Sequence, residues 1–211
     1  MQIRRVALAL ALVLTVAGAL SAFVSPSARA ADQTVRGKTF VVKDPKPGVD
    51  ASLRSVVVLG KELPNDDSVI GDPIANGATV EIIANGASST AQVFPLPPGA
   101  SMAGSPGWKA LGSPVIGYSY KDAGGVNGPV KAALIKESGN GMFIVKVTIK
   151  GALGPGITVV PPAPGMDGGM RFSITAGDSY CVAFGGAAGG VVTNAPTSGS
   201  PNKPFTIVTP T

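Results

Sequence analysis

Histidine is absent from this sequence. That one gap excludes hydrolysis by a serine or cysteine nucleophile with a histidine base, and with it the common zinc sites built on imidazole. Cysteine occurs once, at Cys181, so no internal disulfide can form. Stability must therefore come from a core and from hydrogen-bonded strands. A reactive thiolate needs a neighbouring base or cation to lower its pKa, and the sequence gives Cys181 no dedicated partner. It alternates with Tyr180 and Val182 and reads as a buried small residue. A phosphate loop is missing as well: Gly37, Lys38 and Thr39 have its ending, but Asp32 stands where the first glycine is needed. Aromatic residues are few, at 5%, and charged residues make up 14%.

The first thirty residues have the three parts of a secretory signal. Arg4 and Arg5 form the positive tip, Val6 to Val24 an uncharged run, and Ala28, Arg29, Ala30 a small-residue cutting pattern after Pro26. Cleavage is expected after Ala30, leaving residues 31–211 as one domain in the periplasm or outside the cell. An uncleaved anchor is the alternative, since the run nears the roughly 20 residues that span a bilayer. No second run of spanning length follows, so no stable membrane insertion is expected after cleavage. Arg4, Arg5 and Arg29 leave with the signal, so fourteen basic residues face twelve acids and the net charge falls from +5 to +2. The remaining bases are scattered rather than clustered in a stripe, and nucleic acid is not an expected partner.

Glycine (29) and proline (19) are abundant among the 211 residues and argue against long helices. In their place, short runs rich in Val, Ile, Thr and Phe recur between turn residues. They span 39–43, 55–59, 79–84, 91–96, 130–136, 142–150, 170–175, 179–184 and 205–208. Asn85 with Gly86, Gly139 to Gly141, and Ala176 to Asp178 read as hairpin turns. Gly177, Asp178, Ser179 superficially matches a lipase nucleophile block, but that mechanism needs a histidine, and a turn is the better reading. Residues 97–107 and 194–204 read as surface loops. The expected fold is all-β, an antiparallel two-layer β-sandwich of jelly-roll or Ig-like type, with helix only in the signal peptide. Lys43, Asp44 and Lys61, Glu62 are echoed by Lys121, Asp122 and Lys136, Glu137. Two similar halves, about 38–99 and 116–165, are one account of this echo, and chance similarity is the other.

Across most of its mature length the chain resembles a module that recurs in uncharacterised exported proteins of Gram-negative bacteria, chiefly deltaproteobacteria. The features that carry the resemblance are Lys43 and Asp44; Arg54 before Val56, Val57, Val58; Asp72 and Pro73 before Gly77, Ala78, Thr79; Phe94 to Pro97; Gly107, Trp108, Lys109; the run from Tyr118 to Asp122; Gly128 to Lys131; and the run from Tyr180 to Gly186. The resemblance implies an exported β domain. The module has no established activity, so it lends no catalytic residue.

Three kinds of site remain open. Asp66, Asp67 and Asp72, near Asp44, Asp50 and Asn65, offer the oxygen ligands that calcium takes in extracellular loops. The same residue types also serve plain turns, and no other cofactor is implied. Trp108, Tyr118 and Tyr120 would bind carbohydrate if their ring faces were exposed, or fill the core if not; Tyr118 and Tyr120 share one face of a strand. Two facing carboxylates would make a glycosidase. The leading expectation is a non-catalytic exported structural, adhesion or binding domain that meets a polysaccharide or envelope component. The alternative is a carboxylate-dependent hydrolase acting on extracellular polysaccharide. An outer-membrane barrel is disfavoured, because the strands lack aromatic girdles and the chain ends in Val208, Thr209, Pro210, Thr211.

Overall fold

The structure is a computed structural model and describes residues 31–65, 67–85, 90–154, 156–194, 196, 197 and 199–209. The expected signal segment, 1–30, lies outside them. Among the described residues twelve strands form in chain order: β1 (Asp32–Lys43), β2 (Ser55–Lys61), β3 (Ala78–Ala84), β4 (Thr90–Leu96), β5 (Gly107–Leu111), β6 (Gly117–Lys121), β7 (Val130–Glu137), β8 (Phe143–Lys150), β9 (Asp167–Ile174), β10 (Ser179–Gly185), β11 (Val191–Asn194) and β12 (Phe205–Val208). All nine runs read from sequence are strands. β5, β6 and β11 are additional, and β6 had been signalled only by the alternation of Tyr118 with Tyr120.

Alternation makes these strands amphipathic. In β8 the side chains of Phe143, Val145, Val147 and Ile149 are buried while Lys146 and Lys150 are exposed, and in β3 Ala78, Val80, Ile82 and Ala84 point inward. A period of two puts alternate residues on one face, and fully burying each such large apolar side chain contributes about 1.5–3 kcal/mol. The same rule corrects the reading of Cys181. It lies on the outward face of β10 with the exposed Ala183, between buried Tyr180 and Val182, and is half-buried rather than enclosed.

The strands join in one curled mixed sheet ordered β4-β3-β9-β10-β1-β2-β8-β7-β6-β5, with β12 beside β1 and β11 beside β12. It is not wholly antiparallel. Asp32 to Arg36 of β1 pair in parallel with Ser179 to Ala183 of β10, while Thr39 to Val42 pair antiparallel with β12. β1 thus changes partner midway, and its register with β2 shifts between Gly37 and Thr39. Gly37 marks the change because a Cβ there would lie 2.4 Å from the Ala183 carbonyl oxygen and 2.6 Å from the Phe184 ring.

The curl brings together strands far apart in the sheet order. Phe143 of β8 stacks on Tyr180 of β10 at 5.3 Å, and Trp108 of β5 meets Phe172 of β9 edge-on at 6.4 Å. Phe40 contacts both Phe184 and Phe205. These rings lie in one hydrophobic core, as one aromatic group around Phe40 and another around Phe172.

Short helical turns occur within residues 31–211, contrary to the sequence expectation. α1 (Pro73–Asn76) is a single turn, and three short 3-10 turns occupy Ala51–Leu53, Gly151–Leu153 and Gly186–Ala188. The start of α1 has a plain cause. The Asp72 carboxylate accepts from the Ile74 N–H at 2.8 Å, and Pro73 occupies the first helical position, where its missing N–H costs nothing.

Candidate functional site

Among the described residues, the acids offered as calcium ligands take separate structural tasks. Asp66 lies outside the described residues. Asp67 accepts from Asn65 Nδ2 at 2.7 Å, Asp72 caps α1, and Asp50 accepts from the Ser52 N–H at 3.0 Å. The hydrogen bonds from Ser52 hold the Asp50 carboxyl below its ordinary pKa. Among the described residues no three His, Cys, Asp or Glu side chains gather as a metal-holding group.

The aromatic candidates are committed to the core. Trp108 and Tyr120 are each 1% exposed and their ring centroids lie 5.1 Å apart. The Trp108 indole N–H donates to the Pro97 carbonyl at 3.0 Å, and Asn127 Nδ2 donates to the Tyr120 hydroxyl at 3.1 Å. Tyr118 is buried beside them. The ring faces on which a sugar would stack are occupied by protein.

Burial raises the phenol pKa of all three tyrosines, Tyr118, Tyr120 and Tyr180, above the ordinary 10.0. For Tyr180 the shift is the largest, and the neighbouring Asp178 carboxylate reinforces it. A group whose folded pKa is raised lends stability below its unfolded pKa and loses it as pH rises. An alkaline titration is therefore expected to show no phenolate absorbance while near-ultraviolet circular dichroism stays native, then a joint cooperative change above about pH 10. Phenolate forming gradually in an intact fold would contradict this burial.

Two clefts carry charge. The first, about 220 Å³, is lined by Arg36, Lys38, Lys61 and Glu62, with Leu63 and Met142. Bases scattered in sequence meet here because Gly37 of β1 pairs with Gly60 of β2. Two of these groups already have partners. Glu62 Oε1 accepts from the Arg36 N–H at 2.6 Å, and Lys38 Nζ donates to the Thr209 carbonyl at 3.0 Å. Burial first, and then Asp67 nearby, hold the Glu62 carboxyl above its ordinary pKa.

The second cleft, about 350 Å³, opens where β1 ends and is walled by Pro47, Pro161, Pro196 and Pro201, with Asp44 and Arg54 among its lining. Asp44 is 2% exposed. Arg54 Nε donates to Asp44 Oδ2 at 3.0 Å and Arg54 Nη1 to the Ile157 carbonyl at 2.7 Å. Asp44 Oδ1 is buried without a hydrogen-bond partner among the described residues. A half-satisfied buried carboxylate favours a donor brought to it. Asp122, the other aspartate that follows a Lys at a strand end, is equally buried but accepts from the Val126 and Asn127 N–H groups. The sequence pairs the two acids, and only the structure separates them.

No family model, curated protein or solved structure matches this chain.

Proposed function

We propose that the protein is an exported, non-catalytic binding domain whose ligand enters the proline-walled cleft and offers a hydroxyl or ammonium group to Asp44. The observation that carries this reading is the buried Asp44 carboxylate with one oxygen held by Arg54 and the other without a partner among the described residues. Proline walls present rigid apolar surface around that polar floor, the usual make-up of a small-ligand site. A polysaccharide segment, with closely spaced hydroxyls beside C–H faces, fits that chemistry. Each charged cleft is lined by a single carboxylate, Glu62 in one and Asp44 in the other, which favours binding over two-carboxylate hydrolysis. The curled sheet is read in finer terms as a two-layer sandwich, and the chain as a member of the exported module it resembles.

Thermal melts of residues 31–211 against neutral and amino-sugar polysaccharides test the site. A ligand at a hundred times its dissociation constant adds about 2.7 kcal/mol, and each kcal/mol moves the midpoint by about 2–4 °C in a chain of this size. The expected result is such a shift in the native chain and its loss in both Asp44→Asn and Thr197→Trp, the second of which obstructs the cleft without touching the ion pair. A panel that moves nothing, or a shift that survives both substitutions, would remove the cleft as the binding site.

A further inference from the structure

Asp178 follows the β9–β10 turn and is completely buried. Its carboxylate accepts four hydrogen bonds. Oδ1 takes the Ala31 N–H at 2.8 Å; Oδ2 takes Gln33 Nε2 at 2.6 Å, the Ile70 N–H at 3.1 Å and the Tyr180 hydroxyl at 3.3 Å. All four donors are neutral while Ala31 remains an internal residue. The ion pairs among the described residues are Arg54 with Asp44 and Arg171 with Asp32, and neither reaches Asp178. A buried carboxylate without a countercharge is costly, and it is strongly stabilised by a cation placed on it.

The missing cation has an evident source. The cutting pattern Ala28, Arg29, Ala30 makes Ala31 the first residue after export, and cleavage there turns its amide nitrogen into an ammonium. That atom is already 2.8 Å from Asp178 Oδ1. Ala31 is also held from its other side, since its carbonyl accepts from the Ser179 N–H at 2.9 Å. The residue itself is exposed, so its nitrogen reaches inward from the surface.

We propose that the buried Asp178 carboxylate is a docking site for the processed N-terminus, and that removal of the signal segment creates the ion pair between the Ala31 α-ammonium and Asp178. The chemistry is one hydrolysis: the Ala30–Ala31 peptide bond breaks, water supplies the new carboxylate of Ala30, and the freed amine of Ala31 takes up a proton. A hydrogen bond from a neutral amide to the carboxylate becomes an ion pair at unchanged position. The unprocessed chain keeps Asp178 without its countercharge, so the fold reaches full stability only after export. This inference rests on the reading of an exported, cleaved chain, and the first measurement below tests that reading separately.

The intact mass of the full-length protein recovered after export is expected to match a chain beginning at Ala31; any other start overturns the proposal at the level of processing. The processed chain is then compared with one carrying a Gly-Ser-Gly extension ahead of Ala31. The extension is expected to lower the thermal midpoint by about 5 °C, the scale of one buried charge-assisted contact in a chain of this size. Equal midpoints overturn the ion pair while leaving the processing reading intact. In Asp178→Asn the effect of the extension should vanish, and an unchanged effect there counts against the pair. Should that variant fail to fold, acylation of the terminal amine near neutral pH decides instead. It should run about tenfold slower for Ala31 than for the extended chain's terminus, the factor that a one-unit rise in amine pKa produces. Equal rates overturn the proposal.

Discussion

Phe172→Ala is expected to remove about 3–5 kcal/mol of stability, the cost of emptying a phenylalanine site in a packed core. Phe172 is fully buried on β9, where it stands opposite Val80 of β3 on one side and Tyr180 of β10 on the other. Its ring also meets Trp108 edge-on and lies 6.4 Å from Tyr180. The cavity would open within the aromatic group around Phe172, between strands whose backbones are held on both edges, so little collapse can fill it. Urea unfolding monitored by Trp108 fluorescence measures the loss as a fall in midpoint at unchanged slope. Val93→Ala is the control: Val93 is 56% exposed, and its truncation should stay within about 0.5 kcal/mol. Similar costs for the two substitutions would contradict the core described here.

Gly37→Ala is expected to cost about 3 kcal/mol, the upper part of the range for forcing extra volume into a packed site. The obstacle is steric, because the new Cβ would stand 2.4 Å from the Ala183 carbonyl oxygen. A backbone carbonyl cannot swing aside as a flexible side chain can. Relief would require β1 and β10 to separate where β1 changes partner, loosening the parallel pairing from Asp32 to Arg36. Hydrogen exchange should then quicken selectively at the amides of that pairing, while the β7–β8 hairpin stays protected. Gly139→Ala is the comparison, since a Cβ there meets nothing within 4 Å. A Gly37→Ala chain as stable as Gly139→Ala would contradict the close approach.

Strand content was legible because alternation is a local signal. The runs around Val56, Ile82, Ile149 and Phe172 each announce a buried face without knowledge of their neighbours. β5 was hidden by glycine, and β11 lay against the low-complexity stretch assigned to a loop. Asp72 with Pro73 was readable as a helix start, but a single turn leaves no periodicity to accompany it. The parallel pairing of β1 with β10 had no local signature, because it joins Thr34 to Cys181 across most of the described chain. Site chemistry was less legible than fold for the same reason. Asp178 was read as part of the β9–β10 turn and lies directly after it, yet its hydrogen-bond partners Gln33, Ile70 and Ala31 are none of them near it in sequence. The aromatic cluster at Trp108, Tyr118 and Tyr120 was found as a group, and only three-dimensional packing says which way the rings face.

The mid-strand change of partner in β1 also bears on the order in which the chain can mature. Among the described strands β1 is the first to be made, but two of its three partners, β10 and β12, are among the last. Its hairpin neighbour β2 can join it early, whereas the edge that meets β10 and β12 stays open until the C-terminal segments arrive. Pairings so distant in sequence close slowly, and an unpaired edge in the interval invites association with other chains. The growing chain is therefore vulnerable until its last strands are made, and a chaperone that covers the β1 edge would do most for its yield.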